Sequence, residues 1–159
     1  MNALHIARES PAQADVVALI EALDAYQTAL YPAESNHLVE IGALAQPDVR
    51  FAVARDAQGT VLGCGAVMLA ADCGELKRMF VLPSARGRGI AKALVDFLER
   101  EAAAAGRTVC RLETGIHQAE ALALYEGAGY RRRGPFGDYA EDPLSVFMEK
   151  ELPAGHALR

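Results

Sequence analysis

The period of the hydrophobic positions changes several times along the chain, and each change marks a predicted element. Leu4 to Arg8 reads as a short first strand. Val16, Leu19, Ile20, Leu23 and Leu30 then recur at the spacing of one buried helical face. Ser10-Pro11-Ala12-Gln13 ahead of them predicts a helix start, with serine as N-cap, proline in the first turn and glutamine completing a capping box. Tyr31-Pro32 predicts its end, because the residue before proline is pushed out of the α region. A shorter helix is expected over 35–45, with Leu38, Ile41 and Leu44 as its apolar side and Pro47-Asp48 as its stop.

Phe51 to Arg55 and Val61 to Ala70 are apolar, β-rich runs joined by Asp56-Ala57-Gln58-Gly59, a hairpin signal. Asp72-Cys73-Gly74 makes the next turn and Glu75 to Val81 the next strand, so three strands form an antiparallel meander. From Pro83 the pattern alternates. Ile90, Leu94, Val95, Leu98 and Ala102 stripe a helix that ends at Gly106, and Lys92, Asp96 and Arg100 on its other side are spaced for ion pairs. A strand over Val109 to Thr114, a helix over Gln118 to Glu126 and a strand over Tyr130 to Arg133 follow. A Gly- and Pro-rich loop, Gly134 to Pro143, leads to a last strand, Leu144 to Glu149. The order β-α-α-β-β-β-α-β-α-β-β predicts an α/β sandwich of helices on one mixed sheet. One domain over 1–152 and a loose tail over 153–159 are expected.

Composition narrows the function classes. The 159 residues carry 52% hydrophobic and 23% charged positions, an ordinary soluble profile for one domain. A net charge of −5 argues against nucleic acid as partner and suits a cationic substrate. Cys64, Cys73 and Cys110 are odd in number and lack metal spacing, as do the four histidines, so no disulfide framework and no metal are expected. Neither a signal peptide nor a membrane-length apolar run is visible, so a cytoplasmic protein is expected.

The chemistry concentrates in Arg86-Gly87-Arg88-Gly89-Ile90-Ala91, between a strand and a helix. Outward backbone N–H groups and the helix dipole meet there, a natural seat for phosphate. Gly87 and Gly89 let the backbone approach an anion, and Arg86 and Arg88 add charge. The dinucleotide fingerprint fails because Lys92 fills the position that needs a small residue, and no G-K-[ST] completes a Walker loop. A purely structural turn stays open.

Arg86-x-x-Gly89-x-Ala91 fits the pattern Q/R-x-x-G-x-G/A and resembles the acetyl-CoA signature of the GNAT superfamily of N-acetyltransferases. Met79-Phe80-Val81-Leu82-Pro83 is similar to the strand and V-x-P step that lead into that signature. Gln118 and Leu124-Tyr125-Glu126-Gly127-Ala128-Gly129-Tyr130 are similar to its N-x-x-A-x-x-L-Y-E-x-x-G-F block, with Gln118 where asparagine is usual. The resemblance covers about Val49 to Lys150. It implies a mostly antiparallel sheet with splayed central strands, helices on both faces, and acetyl-CoA as cosubstrate.

What the resemblance implies can be placed on residues. The pantetheine arm would pair with the backbone of Met79, Phe80 and Val81, the diphosphate would sit on Arg86 to Ala91, and Gln118 and Tyr125 would complete the cofactor site. Acyl transfer to an amine needs a base, an oxyanion donor and an acid for the departing thiolate. A backbone N–H near Val81 is the candidate oxyanion donor. Tyr125 is the candidate acid, since a phenol of pKa about 10 can protonate a thiolate whose conjugate acid lies near about 8.5. Glu75 is the leading base, eleven residues before Arg86, where histone-modifying relatives carry a catalytic glutamate. Glu113 and His117 are the alternatives.

The acceptor, a small-molecule amine or a peptide, is expected to meet Tyr31, Glu34, His37, Asp138 and Tyr139. Two other classes stay open: a non-catalytic acyl-CoA sensor and a nucleotide-binding module using the same cradle. A homodimer is expected if the last strand is an exposed edge.

Overall fold

The computed structural model describes residues 3–32 and 41–153. Its strands are β1 (His5–Arg8), β2 (Val49–Arg55), β3 (Val61–Leu69), β4 (Gly74–Val81), β5 (Val109–Gly115), β6 (Arg131–Arg133) and β7 (Ser145–Glu151). Its helices are α1 (Ala14–Leu30), α2 (Ile41–Leu44), α3 (Ile90–Ala104) and α4 (Ala119–Gly127). The strands form one sheet in the order β1-β2-β3-β4-β5-β7-β6. Every pairing is antiparallel except β4 with β5. That parallel step needs a crossover, and α3 supplies it.

Strand alternation sorts the core into two layers. In β2, Phe51 and Val53 join Val16, Leu19, Ile20 and Leu23 of α1 on one face. Ala52 and Ala54 point the other way, to Leu94, Val95 and Leu98 of α3. The small alanines let α3 sit close to the sheet. Each fully buried Leu or Val contributes about 2 kcal/mol. α4 packs on the α3 face, where Tyr125 and Tyr130 enter the same cluster.

One buried carboxylate lies within the α3-side layer. Glu99 of α3 is 2% exposed; it accepts hydrogen bonds from Tyr130 Oη at 2.9 Å and from Lys150 Nζ at 2.9 Å. The three cysteines are buried and free, and burial pushes the Cys64 and Cys110 thiols up to about 12.

Two expectations need correction. The capping box does not form: α1 starts at Ala14, and the Gln13 side chain caps nothing in it. Ser10 Oγ accepts from the Ala12 N–H instead, while the Gln13 amide donates to Glu9 and to the Ser10 carbonyl, so these residues close a turn before the helix. Second, β7 is no edge strand, because β5 and β6 flank it and the edges are β1 and β6; the basis for expecting a dimer through it is gone. Of the helix expected over 35–45, Ile41–Leu44 is helical and 35–40 lie outside the described residues.

Candidate active site

The parallel pairing of β4 and β5 lasts three residues: Gly74 with Cys110, Glu75 with Arg111, and Leu76 with Leu112. Beyond Leu76 the strands part, and Lys77 to Val81 line two cavities that lie side by side in the gap. Against β3 the register jumps, with Ala66 facing Lys77 but Cys64 facing Phe80. Gly65 therefore stands opposite both Arg78 and Met79, a β-bulge. Arg78 takes φ +58°, a left-handed backbone unusual outside glycine; such a conformation costs about 1–3 kcal/mol and persists only where its surroundings hold it. Arg78 Nη1 lies 2.5 Å from Asp24 Oδ1 of α1, and the Cys64 thiol reaches the Arg78 carbonyl at 3.4 Å.

The larger cavity, about 470 Å³, runs from the bulge to the start of α3. Gly87 at φ +84° and Gly89 at φ +76° shape its end, with Gly89 as the N-cap of α3. A Cβ at either glycine would meet no atom within 4 Å, so they are needed for the left-handed turn, and the space over them is open to a ligand. The first helical bond runs from Ala93 N–H to Gly89 O at 3.1 Å, which leaves the N–H groups of the preceding turn directed out of the helix end. The fit to a diphosphate is good. Met79, Phe80, Val81, Arg86, Gly87, Gly89, Ile90, Ala91, Gln118 and Tyr125 all line this cavity. Arg88 does not; its guanidinium lies 3.5 Å from the Ser84 carbonyl. Lys92 lines it instead. Its place in the first turn of α3 was the available signal, masked by its fit to the solvated stripe.

The smaller cavity, about 100 Å³, lies on the other side of the gap. Leu23, Gln27 and Tyr31 border it from α1 and its end, Lys77 and Arg78 from β4, and Glu113 and Thr114 from β5. Tyr125, Gln118 and Met79 belong to both cavities. Tyr125 is buried against Tyr130, and burial raises its phenol well above the usual tyrosine range. It therefore stays protonated at neutral pH. Gln118 is the N-cap of α4, with a side chain that caps nothing.

Tyr31 ties the two sides together. Its ring stacks on His117, centroids 5.5 Å apart, and its Oη accepts from the His117 N–H at 3.1 Å. Tyr31 borders the smaller cavity and His117 the larger one.

The remaining residues expected from sequence fall elsewhere. Glu75 sits on the closed side of the split, where its Oε2 accepts from Tyr139 Oη at 2.7 Å and lies 3.4 Å from Lys77 Nζ. Lys77 also donates to Tyr139 Oη. Burial, and then the Glu75 charge, push the Tyr139 phenol upward. Neither Glu75 nor Tyr139 lines either of these two cavities, and Asp138 is exposed on the loop before Tyr139. Glu34 and His37 lie outside the described residues.

A family profile described as an acetyltransferase (GNAT) domain matches residues 47–132, more than half of the chain. The chain belongs to the GNAT acetyltransferases. An IAA acetyltransferase of Azospirillum brasilense is 56% identical to this GNAT chain over 149 residues, 92% of this chain and 97% of that one. A solved structure from Klebsiella pneumoniae, provisionally named an acyl-CoA N-acyltransferase, is 39% identical, with a TM-score of 0.80 over 94% of this chain and 97% of that one. A PaiA N-acetyltransferase of Thermoplasma acidophilum, solved with coenzyme A, shares the GNAT fold at 20% identity, with a TM-score of 0.70 over 94% of this chain and 99% of that one. With this family membership, the chain is an acetyl-CoA-dependent N-acetyltransferase. Among its described residues no helix is long and apolar enough to cross a membrane.

Proposed function

We propose that this GNAT protein moves an acetyl group from acetyl-CoA directly to a primary amine of a small molecule or peptide. The observation that carries this proposal is that Tyr125 belongs to the walls of both cavities. A group there can touch a thioester reaching in from one side and an amine arriving from the other. Acetyl-CoA supplies the activated acyl group. Its diphosphate suits the Gly87–Gly89 turn, with Arg86 and Lys92 for charge. Its pantetheine arm suits the β4 edge from Met79 to Val81, which β5 has left.

Three tasks fall to the chain. A β4 backbone N–H near Val81 donates to the developing oxyanion. Tyr125, kept protonated by burial, gives its proton to the sulfur as the C–S bond breaks. The ammonium of the acceptor must lose a proton before attack, and a carboxylate at the smaller cavity can draw it off. Glu113 lines that cavity and is held by Ser145, whose Oγ donates to Glu113 Oε2 at 2.8 Å. Glu75 is engaged by Tyr139. This placement supports Glu113 over Glu75 as the base. Burying both reactants between α1 and α4 also holds them in line for attack and excludes water.

The Azospirillum relative is named for IAA, so IAA belongs beside primary amines in a first acceptor panel, read by release of free CoA thiol. Tyr125→Phe is expected to lower kcat by about a hundredfold while calorimetry shows acetyl-CoA affinity little changed. Glu113→Gln should fall further than Glu75→Gln. Normal turnover in Tyr125→Phe would remove the tyrosine from the mechanism.

A further inference from the structure

The acceptor cavity is lined by two successive cations, Lys77 and Arg78. In a regular strand, neighbours in sequence point to opposite faces. The bulge cancels that alternation. Lys77 pairs in register with Ala66, and Ala66 packs in the α1-side cluster. Arg78 is ion-paired with Asp24 of α1, so it turns to the same side. Phe80, three residues after Lys77, is again in the α1-side cluster, whereas Met79 packs against the α3-side cluster. A strained left-handed residue in the middle of a strand thus has a definite result: both cations border the space next to Tyr125.

Those cations are held in position. Lys77 is the first β4 residue beyond the last pairing with β5; its side chain is 14% exposed, with Tyr139 Oη and Glu75 beside its ammonium. Their carboxylate partners, Glu75 and Asp24, are not part of the cavity wall. Across the gap the wall holds one carboxylate, Glu113. The cavity therefore has a cationic side on β4 and an anionic side on β5. Its volume of about 100 Å³ is far below that of a drug-sized site.

We infer that the acceptor is a small zwitterion, an amine that also carries a carboxylate, whose carboxylate is received at Lys77 and Arg78 while its amine faces Glu113 and Tyr125. This inference rests on the N-acetyl transfer proposed above and names the acceptor class. In the reaction one ammonium proton leaves toward Glu113, the freed nitrogen forms the new C–N bond as the thioester C–S bond breaks, the sulfur gains a proton from Tyr125, and the second proton lost by the nitrogen restores the Tyr125 phenol. The acceptor carboxylate is unchanged. A charge-assisted contact at a half-enclosed site gives discrimination that a methyl ester cannot recover.

The test is a matched panel with saturating acetyl-CoA: glycine, L-alanine, L-serine, β-alanine and γ-aminobutyrate, each against its methyl ester and its decarboxylated amine. Release of CoA thiol gives kcat/KM for each. At least one free acid should exceed both of its partners that lack a carboxylate by about tenfold or more. Lys77→Gln should collapse that ratio toward unity, and Lys77→Arg, which keeps the charge, should preserve it; circular dichroism melting checks that both variants fold. The inference is overturned if esters or simple amines match the acids, or if the preference survives in Lys77→Gln. It is also overturned if no member reacts while calorimetry shows acetyl-CoA bound, an outcome that leaves the cofactor site standing. Failure to bind acetyl-CoA at all would instead sink the proposed reaction beneath it.

Discussion

At Gly115 a Cβ would lie 1.7 Å from Tyr31 Oη and 2.0 Å from the adjoining ring carbon. Tyr31 can cross β5 and reach His117 only because this position has no side chain. The contact joins a wall of the smaller cavity to a wall of the larger one, so its loss should be felt by both substrates. Gly115→Ala is expected to displace Tyr31 and raise KM for acetyl-CoA and for the acceptor by about tenfold each, measured by steady-state thiol release. Tyr31→Phe removes only the hydroxyl and should have a smaller effect. Equal, wild-type KM values in Gly115→Ala would show that Tyr31 does not align the two sides. Tyr31 was visible in the sequence as a helix-ending aromatic before proline, but its partner was not, since 84 residues separate it from Gly115.

Among the elements, the junction of β4 and α3 was the most legible. Gly87 and Gly89 stand in the sequence as a pair that lets the backbone approach an anion at a helix start, and in the structure both adopt positive φ. A β-branched residue in that region pays about 1–2 kcal/mol and crowds the open side of the turn. Gly89→Val should therefore weaken CoA binding by at least about tenfold in calorimetry, with α3 itself retained by circular dichroism. Undiminished affinity would place the diphosphate elsewhere. The bulge in β4 was not legible. Nothing in Lys77-Arg78-Met79 marks a left-handed arginine; it follows from Asp24, from the Cys64 thiol at the Arg78 carbonyl, and from Gly65, where a Cβ would lie 2.3 Å from Met79 Sδ. The start of α1 also misled. Ser10 and Gln13 satisfy a capping pattern by type, yet local turn bonds take both side chains first.

Across the whole molecule, arginine–carboxylate clusters tie chain-distant segments together. Glu149 on β7 accepts from Arg111 at 2.7 Å, from Arg131 at 3.2 Å and from Arg133 at 2.5 Å, binding β5, β6 and β7 into one patch. Glu9, just after β1, accepts from Arg55 of β2 at 2.8 Å. Hydrogen bonds from these arginines hold both carboxyls below the ordinary value of 4.5. A carboxyl with a depressed folded pKa contributes stability that is complete above its unfolded value and lost as pH falls through the folded one. Urea midpoints should thus be level across roughly pH 5 to 8 and drop below 4.5. Arg111→Met should flatten the drop. An unaltered acid limb in that variant would mean that other groups control it.

The sequence by itself determined the layers and the glycine turn between β4 and α3. Periods of 3.6 and 2, a glycine pair between a strand and a helix, and a proline after an apolar run are local physics, readable without knowing any partner. It likewise carried Tyr125, Gln118 and the motif order that marks the family. Tertiary structure alone decided which charged residues border the smaller cavity. β4 and β5 part after three pairs, and a bulge rotates Arg78 onto the α1 side, so Glu113 rather than Glu75 borders the smaller cavity. Those positions depend on contacts between residues tens of positions apart, and no short window of sequence encodes the register of one strand against another.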